Sequence, residues 1–204
     1  MLKKNSELRA IARETLKGNW TPAVLAAFVY MIIAGLAGGI PFINYITTFL
    51  VSLPLGMSVI IVYLKFLRGD KEKAVSNIFA FFNDYGKYLG TSLLVFLFTL
   101  LWTLLLIIPG IIKSYAYSMT YYIVNDNPEI GTNDAIELSM KMMKGNKMKL
   151  FLLDLSFIGW FLLSILTLCI GMFWVYPYML TARAAFYEDI KANYKTTETT
   201  AVVE

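Results

Sequence analysis

The stretch LLLIIPGIIKSYAYSMTYYI, Leu104–Ile123, decides the fold of this chain. It is apolar enough to enter a bilayer, yet it carries Pro109, Gly110 and Lys113 near its middle. The surrounding segment Leu89–Asp126 has 38 residues. A bilayer core of about 30 Å needs about 20 helical residues, so this segment is too long for one span. Because proline suits the start of a helix and glycine allows a tight connection, Pro109 and Gly110 are predicted to form a helix turn between two spans. The alternative is a re-entrant hairpin that never reaches the outer face.

The composition predicts a membrane protein. Of the 204 residues, 58% are hydrophobic and 16% are charged, whereas a soluble domain has roughly 25% charged residues. The predicted fold class is all-α: a polytopic membrane protein with six transmembrane helices in three hairpins, joined by cytoplasmic amphipathic helices. The six apolar blocks are Trp20–Ile40, Ile46–Leu67, Leu89–Ile108, Ile111–Val124, Lys149–Leu168 and Gly171–Tyr187.

The basic residues predict the orientation. Of the 18 lysines and arginines, 16 precede the first block, follow the last, or lie in alternate connections or at the block ends that border them, and the two exceptions are Lys113 and Arg183. The other connections, Pro41–Tyr45, Pro109–Gly110 and Cys169–Gly171, carry no charge. The positive-inside rule therefore places both termini and both long loops in the cytoplasm.

A threefold internal repeat is one interpretation of the chain. A short amphipathic stretch, a glycine, a span and a second span that ends at an acid recur over residues 6–70, 73–126 and 133–189. The alternative is that any series of helical hairpins has glycine and proline near its turns. The predicted organisation is an amphipathic helix over residues 1–19, a six-span membrane domain over 20–190, and a polar cytoplasmic tail over 191–204.

The first amphipathic stretch is predicted to bind lipid. Leu8, Ile11 and Leu16 are expected in the headgroup boundary of the membrane. The basic residues Arg9, Arg13 and Lys17 are expected to contact anionic headgroups at the cytoplasmic face.

Several motifs resemble those of a bacterial membrane family known as domain of unknown function 975. The resemblance covers nearly the whole chain and implies a location in the bacterial cytoplasmic membrane, but no activity. More distantly, the proline–glycine helix opening resembles the membrane domain attached to some glycerophosphodiester phosphodiesterases, whose catalytic domain has no counterpart here. The motifs are LKGNW, FLRGDK, IIPGIIKSYAYSMTYYIVNDNPEIG, MMKGNK, LSFIGWFLL and YPYMLTARAAFYEDI.

Two intramembrane features are candidate sites. The fourth span is rich in polar residues at helical spacing, which indicates either a polar cavity or helix packing. Asp154 and Arg183 lie about 7 Å inside neighbouring spans and are predicted to form an ion pair, since charges at membrane depth usually pair. The candidate cavity residues are Lys113, Ser114, Tyr117, Ser118, Thr120 and Tyr122.

The sequence favours a protein without catalysis. It has no histidine and only one cysteine, Cys169, so the commonest general base and the usual metal ligands are missing. We expect no enzyme activity, no cofactor or metal, and no nucleic-acid partner. The favoured function is a lipid- or protein-binding membrane component, with a homo-oligomer as one possible assembly. The alternative is a small transporter or lipid flippase that uses the polar fourth span.

Overall fold

The computed structural model describes residues 2–38, 48–71 and 73–203, with side chains for 2–36, 50–71 and 73–194. Every regular element in these ranges is helical, which confirms the all-α class. The predicted connection Pro41–Tyr45 lies outside the described residues. The α-helices are α1 (Asn5–Leu16), α2 (Trp20–Gly38), α3 (Leu53–Leu67), α4 (Ala74–Ile78), α5 (Tyr85–Leu105), α6 (Ile107–Tyr117), α7 (Thr120–Asp126), α8 (Thr132–Met142), α9 (Lys147–Leu155), α10 (Ile158–Leu166) and α11 (Met172–Val203). A π-helical turn, Thr48–Ser52, precedes α3, and a 3₁₀ turn, Phe79–Phe82, follows α4.

Three helical segments are long and apolar enough to cross a membrane: Leu50–Leu67, Tyr85–Leu105 and Lys147–Leu166. A fourth is present if α1 and α2, which meet at a bend of 98°, count as one span. The predicted count of six is therefore not confirmed. The fourth predicted span is divided between α6 and α7, and α11 carries Arg183, Glu188 and Asp189 along its length.

The hairpin between α5 and α6 turns at a different residue from the predicted one. Leu106 has an extended backbone and separates the two helices. Pro109 is the third residue of α6, where its missing N–H leaves no helical hydrogen bond unmade. Gly110 allows close helix contact, since a Cβ there would overlap the Thr103 hydroxyl oxygen and lie 2.7 Å from the Thr103 Cα. The prediction that Pro109 and Gly110 form the turn is thus wrong by three residues.

The core of the bundle lies where α3, α7 and α11 meet. Each of these is the last helix of one predicted repeat unit. α3 is buried along most of its length, and the rings of Tyr122 in α7 and Tyr187 in α11 stack with centroids 4.8 Å apart. The order of elements fits three units, each with a short leading helix, but the repeat stays a prediction.

α1 packs against the protein. Leu8, Ala12 and Leu16 are all fully buried, and α1 lies along α11. The backbone N–H of Lys3 donates to Asp189 over 2.8 Å, which ties the start of the chain to α11. The expectation that Leu8 and Leu16 lie in the headgroup boundary is therefore wrong, because protein already covers the apolar face of this helix.

Candidate functional site

The structure brings Asp154 and Arg183 together. The guanidinium donates from Nε to one carboxylate oxygen over 2.8 Å and from Nη2 to the other over 2.6 Å. The Tyr115 hydroxyl donates to the same carboxylate over 3.0 Å. The Asp154 side chain is 14% exposed and that of Arg183 is 32% exposed. A bidentate pair of this kind fixes both position and orientation, so it joins α9, α11 and α6 at one point.

A polar groove lies beside this ion pair. Its volume is about 270 Å³, and Arg183 and Tyr115 form part of its wall. Of the six predicted cavity residues, Ser114, Tyr117 and Ser118 line it. The hydroxyls of Ser114 and Ser118 donate to carbonyl oxygens of their own helix, those of Ile111 and Tyr115. A carbonyl-bonded hydroxyl keeps an acceptor lone pair free, so these side chains still offer polar contacts to the groove.

The other three predicted cavity residues lie elsewhere. Lys113 places its ammonium 4.5 Å from the ring centroid of Trp102 on α5, a cation–π contact away from the groove. Thr120 and Tyr122 are buried in the core of the bundle. The prediction assumed one continuous helix across the fourth span. The break at Ser118–Met119 divides that span into α6 and α7, so residues at helical spacing across the break do not share one face.

A second ionic cluster, which the sequence did not indicate, surrounds Asp126 at the end of α7. Arg68 donates to both of its carboxylate oxygens, over 2.7 and 2.8 Å, and Tyr187 donates over 2.9 Å. Lys191 also pairs with this carboxylate, and Arg68 reaches on to Glu188 over 2.7 Å. Burial by itself would raise the pKa of Asp126, but the hydrogen bonds from Arg68, Lys191 and Tyr187 outweigh it and hold the pKa well below its usual range. The cluster joins the C-terminal ends of α3 and α7 to the middle of α11.

Asp189 is the centre of a third ionic contact. Its side chain is 4% exposed, and it accepts from Lys3 and lies 3.9 Å from the Lys149 ammonium. In the sequence, Asp189 is marked as the acid at which the third predicted repeat unit ends, and its partners Lys3 and Lys149 could not be read from that pattern.

The three basic residues predicted to bind lipid differ in exposure. Arg13 and Lys17 are exposed, whereas Arg9 is partly buried and its Nε has no hydrogen-bond partner among the described residues. Arg13 lies at the edge of an apolar groove with Trp20, Trp160 and Trp174. Cys169 is exposed, at the turn between α10 and α11. In the described part of the chain, no three cysteine or acidic side chains come together as a metal site would require.

The fold and these sites define an all-helical protein with three to four candidate membrane spans. The model of the family described as "Protein of unknown function (DUF975)" matches residues 1–113 and 103–194, so the chain belongs to this family. No curated protein and no solved structure matches the chain.

Proposed function

We propose that this protein is a non-catalytic component of the bacterial cytoplasmic membrane that binds lipids or protein partners. In this proposal the chain crosses the bilayer six times with both termini in the cytoplasm. The positive-inside rule supports this orientation, because most basic residues lie before the first predicted span, after the last, or at the alternate connections, and the other three connections carry no charge.

The observation that carries the membrane assignment is the exposure of the hairpin tips. Each residue from Leu104 to Ile108 is at least 67% exposed, and Leu166 and Leu168 are 80% and 86% exposed. A soluble monomer rarely exposes a contiguous apolar patch of this kind to water. Contact with lipid, or with another apolar partner surface, would remove the unfavourable free energy of exposing these side chains to water.

A topology reporter tests the orientation. A reporter that is active only in the cytoplasm, fused after residue 203, should be active. The same reporter inserted between Thr167 and Ile170, in the uncharged turn, should be inactive. Activity at the turn and none at the C-terminus would overturn the proposed topology.

The second candidate function is a small transporter or lipid flippase, and the groove beside Arg183 favours it. The groove combines hydroxyl groups with a guanidinium inside a predicted membrane span. Ionisable residues at such depth often mark a substrate pathway.

Cysteine accessibility distinguishes the two candidates. In a Cys169→Ser background, Ser114→Cys and Ser118→Cys place thiols on the groove wall. Ile112→Cys is the matched control, since Ile112 is 48% exposed on the surface of the same helix. A transporter predicts that the groove thiols react with a water-soluble reagent and that the control thiol does not. If neither groove thiol reacts from either side of the membrane, the transporter loses its support.

A further inference from the structure

Three of the four tryptophans of the chain gather at one place. Trp20 at the start of α2, Trp160 in α10 and Trp174 in α11 line a groove of about 460 Å³ together with Tyr178. Trp20 and Trp174 also line an adjoining groove of about 410 Å³, which continues past Leu25 and Phe28. The two grooves have Trp20 and Trp174 in common, and together they are here called the tryptophan groove.

The tryptophan groove is apolar except at one end. That end carries Arg13, which is exposed and has no ion-pair partner in the part of the chain that the structure describes. Arg9 lies one turn before it on α1, and Lys17, four residues after it, directly follows the end of this helix. Because Ala12 and Leu16 are fully buried against the bundle, α1 holds Arg13 at a fixed place at the groove mouth.

This arrangement fits one kind of ligand. A guanidinium binds phosphate oxygens in a forked geometry, and an apolar channel lined by aromatic rings covers an aliphatic chain. Tryptophan rings are favoured where headgroups meet acyl chains, because one edge of the indole is polar and the rest is apolar. The three neighbouring cations favour a headgroup of net negative charge over one that also carries an ammonium.

We propose that the tryptophan groove is a binding site for one anionic phospholipid, with its phosphate at Arg13 and an acyl chain along Trp20, Trp174 and Phe28. The inference rests on the proposed lipid-binding function and names its site and lipid class. It differs from the expectation that α1 lies in the headgroup layer, because here α1 packs on the bundle and positions Arg13 at the groove.

Quenching of tryptophan fluorescence by brominated lipid tests the site. Trp102, on α5, is first replaced by phenylalanine so that only the three groove tryptophans report. The full-length protein is reconstituted into phosphatidylcholine vesicles that contain increasing fractions of dibrominated phosphatidylglycerol or dibrominated phosphatidylcholine. We expect half-maximal quenching at about fivefold lower mole fraction for the anionic lipid, which corresponds to one favourable cation near an anionic headgroup.

Two variants decide whether Arg13 causes this preference. Arg13→Gln should bring the two quenching curves together. Lys144→Gln removes the same charge from an exposed turn outside the groove, and it should leave the fivefold difference in place. If both variants lose the preference equally, or the parent protein shows none, the proposed site is wrong.

Lipid analysis of the purified protein separates this site from the general function. Enrichment of anionic lipid that Arg13→Gln leaves unchanged would refute the groove site while the lipid-binding function stands. No enrichment in the parent protein would refute both. Loss of the enriched lipid in Arg13→Gln, but not in Lys144→Gln, supports the site.

Discussion

Breaking the ion pair between Asp154 and Arg183 should destabilise the bundle strongly. Removing one partner of a fully buried pair costs about 3–5 kcal/mol, because it leaves the other charge unpaired. Here the Arg183 side chain keeps 32% exposure, so the pair is not fully buried in protein and we expect about 2–3 kcal/mol for Asp154→Asn or Arg183→Gln. Tyr115→Phe removes one hydrogen bond to the carboxylate and should cost about 1 kcal/mol.

A double-mutant cycle isolates the pair itself. The variant with both substitutions should be less destabilised than the two single effects added together, by about 2 kcal/mol, since neither charge is then left alone. Exchanging the residues, Asp154→Arg with Arg183→Asp, should recover much of the loss. Recovery will be incomplete because the Tyr115 hydroxyl would then face a cation.

Unfolding in mixed micelles measures these effects. Titration with sodium dodecyl sulfate, followed by tryptophan fluorescence, to which Trp160 on α10 and Trp174 on α11 contribute, gives the free energy of unfolding for each variant. Glu137→Gln is the control, because the exposed pair of Glu137 and Lys141 should contribute nothing that this titration detects. The reasoning is refuted if the single effects add within about 0.5 kcal/mol, or if the exchanged variant is no more stable than the worse single variant.

Three further predictions concern the close contact at Gly110, the lowered pKa of Asp126 and the ion pairs of Arg68. Gly110→Ala should destabilise the α5–α6 hairpin by about 1–3 kcal/mol, since its Cβ would overlap Thr103. The control Gly90→Ala on α5 has open space around it and should be neutral or slightly stabilising in the same titration. Equal losses of stability in the two variants would contradict the close contact at Gly110. The stability that Asp126 contributes should be fully present above its ordinary pKa of about 3.9 and be lost as the pH falls below that value, because its pKa is lowered in the folded state. Asp126→Asn should flatten the stability profile in this acid range, and an unchanged acid limb in the variant would show that another carboxylate controls it. Arg68→Gln should destabilise the protein more than Lys65→Gln, since Arg68 bonds both Asp126 and Glu188 whereas Lys65 bonds the Asn77 side chain. Equal effects of the two substitutions on the unfolding midpoint would argue that the ionic cluster around Asp126 contributes little to stability.

The sequence predicted the third and fifth apolar helices closely, because an apolar block of bilayer length is most readily accommodated as a helix. Tyr85–Leu105 and Lys147–Leu166 lie within a few residues of the predicted third and fifth spans. The turn was predicted at Pro109 and Gly110 but lies at Leu106. A proline is accepted at any position in the first turn of a helix, so its presence does not fix the residue at which the helix begins. The partners of Asp126 could not be predicted, since Arg68 and Lys191 are 58 and 65 residues away.

The ion pair of the candidate site was predictable from the sequence, whereas the groove beside it was only partly so. Asp154 and Arg183 lie on helices joined by a short turn, so their depths alone suggested that they meet. The groove depends on α3, α5 and α11 together, and no local pattern on the fourth span reports those packing partners. The amphipathic pattern of α1 predicted one buried face correctly, but periodicity does not distinguish burial in lipid from burial in protein.

The contact between Lys3 and Asp189 has a consequence for biosynthesis. The two residues are 186 positions apart, and α1 is made first whereas α11 is made last. At about 5–20 residues per second, α1 waits for about 10–40 s before its partner helix leaves the ribosome. During that time the α11 surface that covers part of the apolar face of α1 in the folded protein does not yet exist. In a protein with the proposed membrane function, the bilayer surface would cover this face until α11 is made.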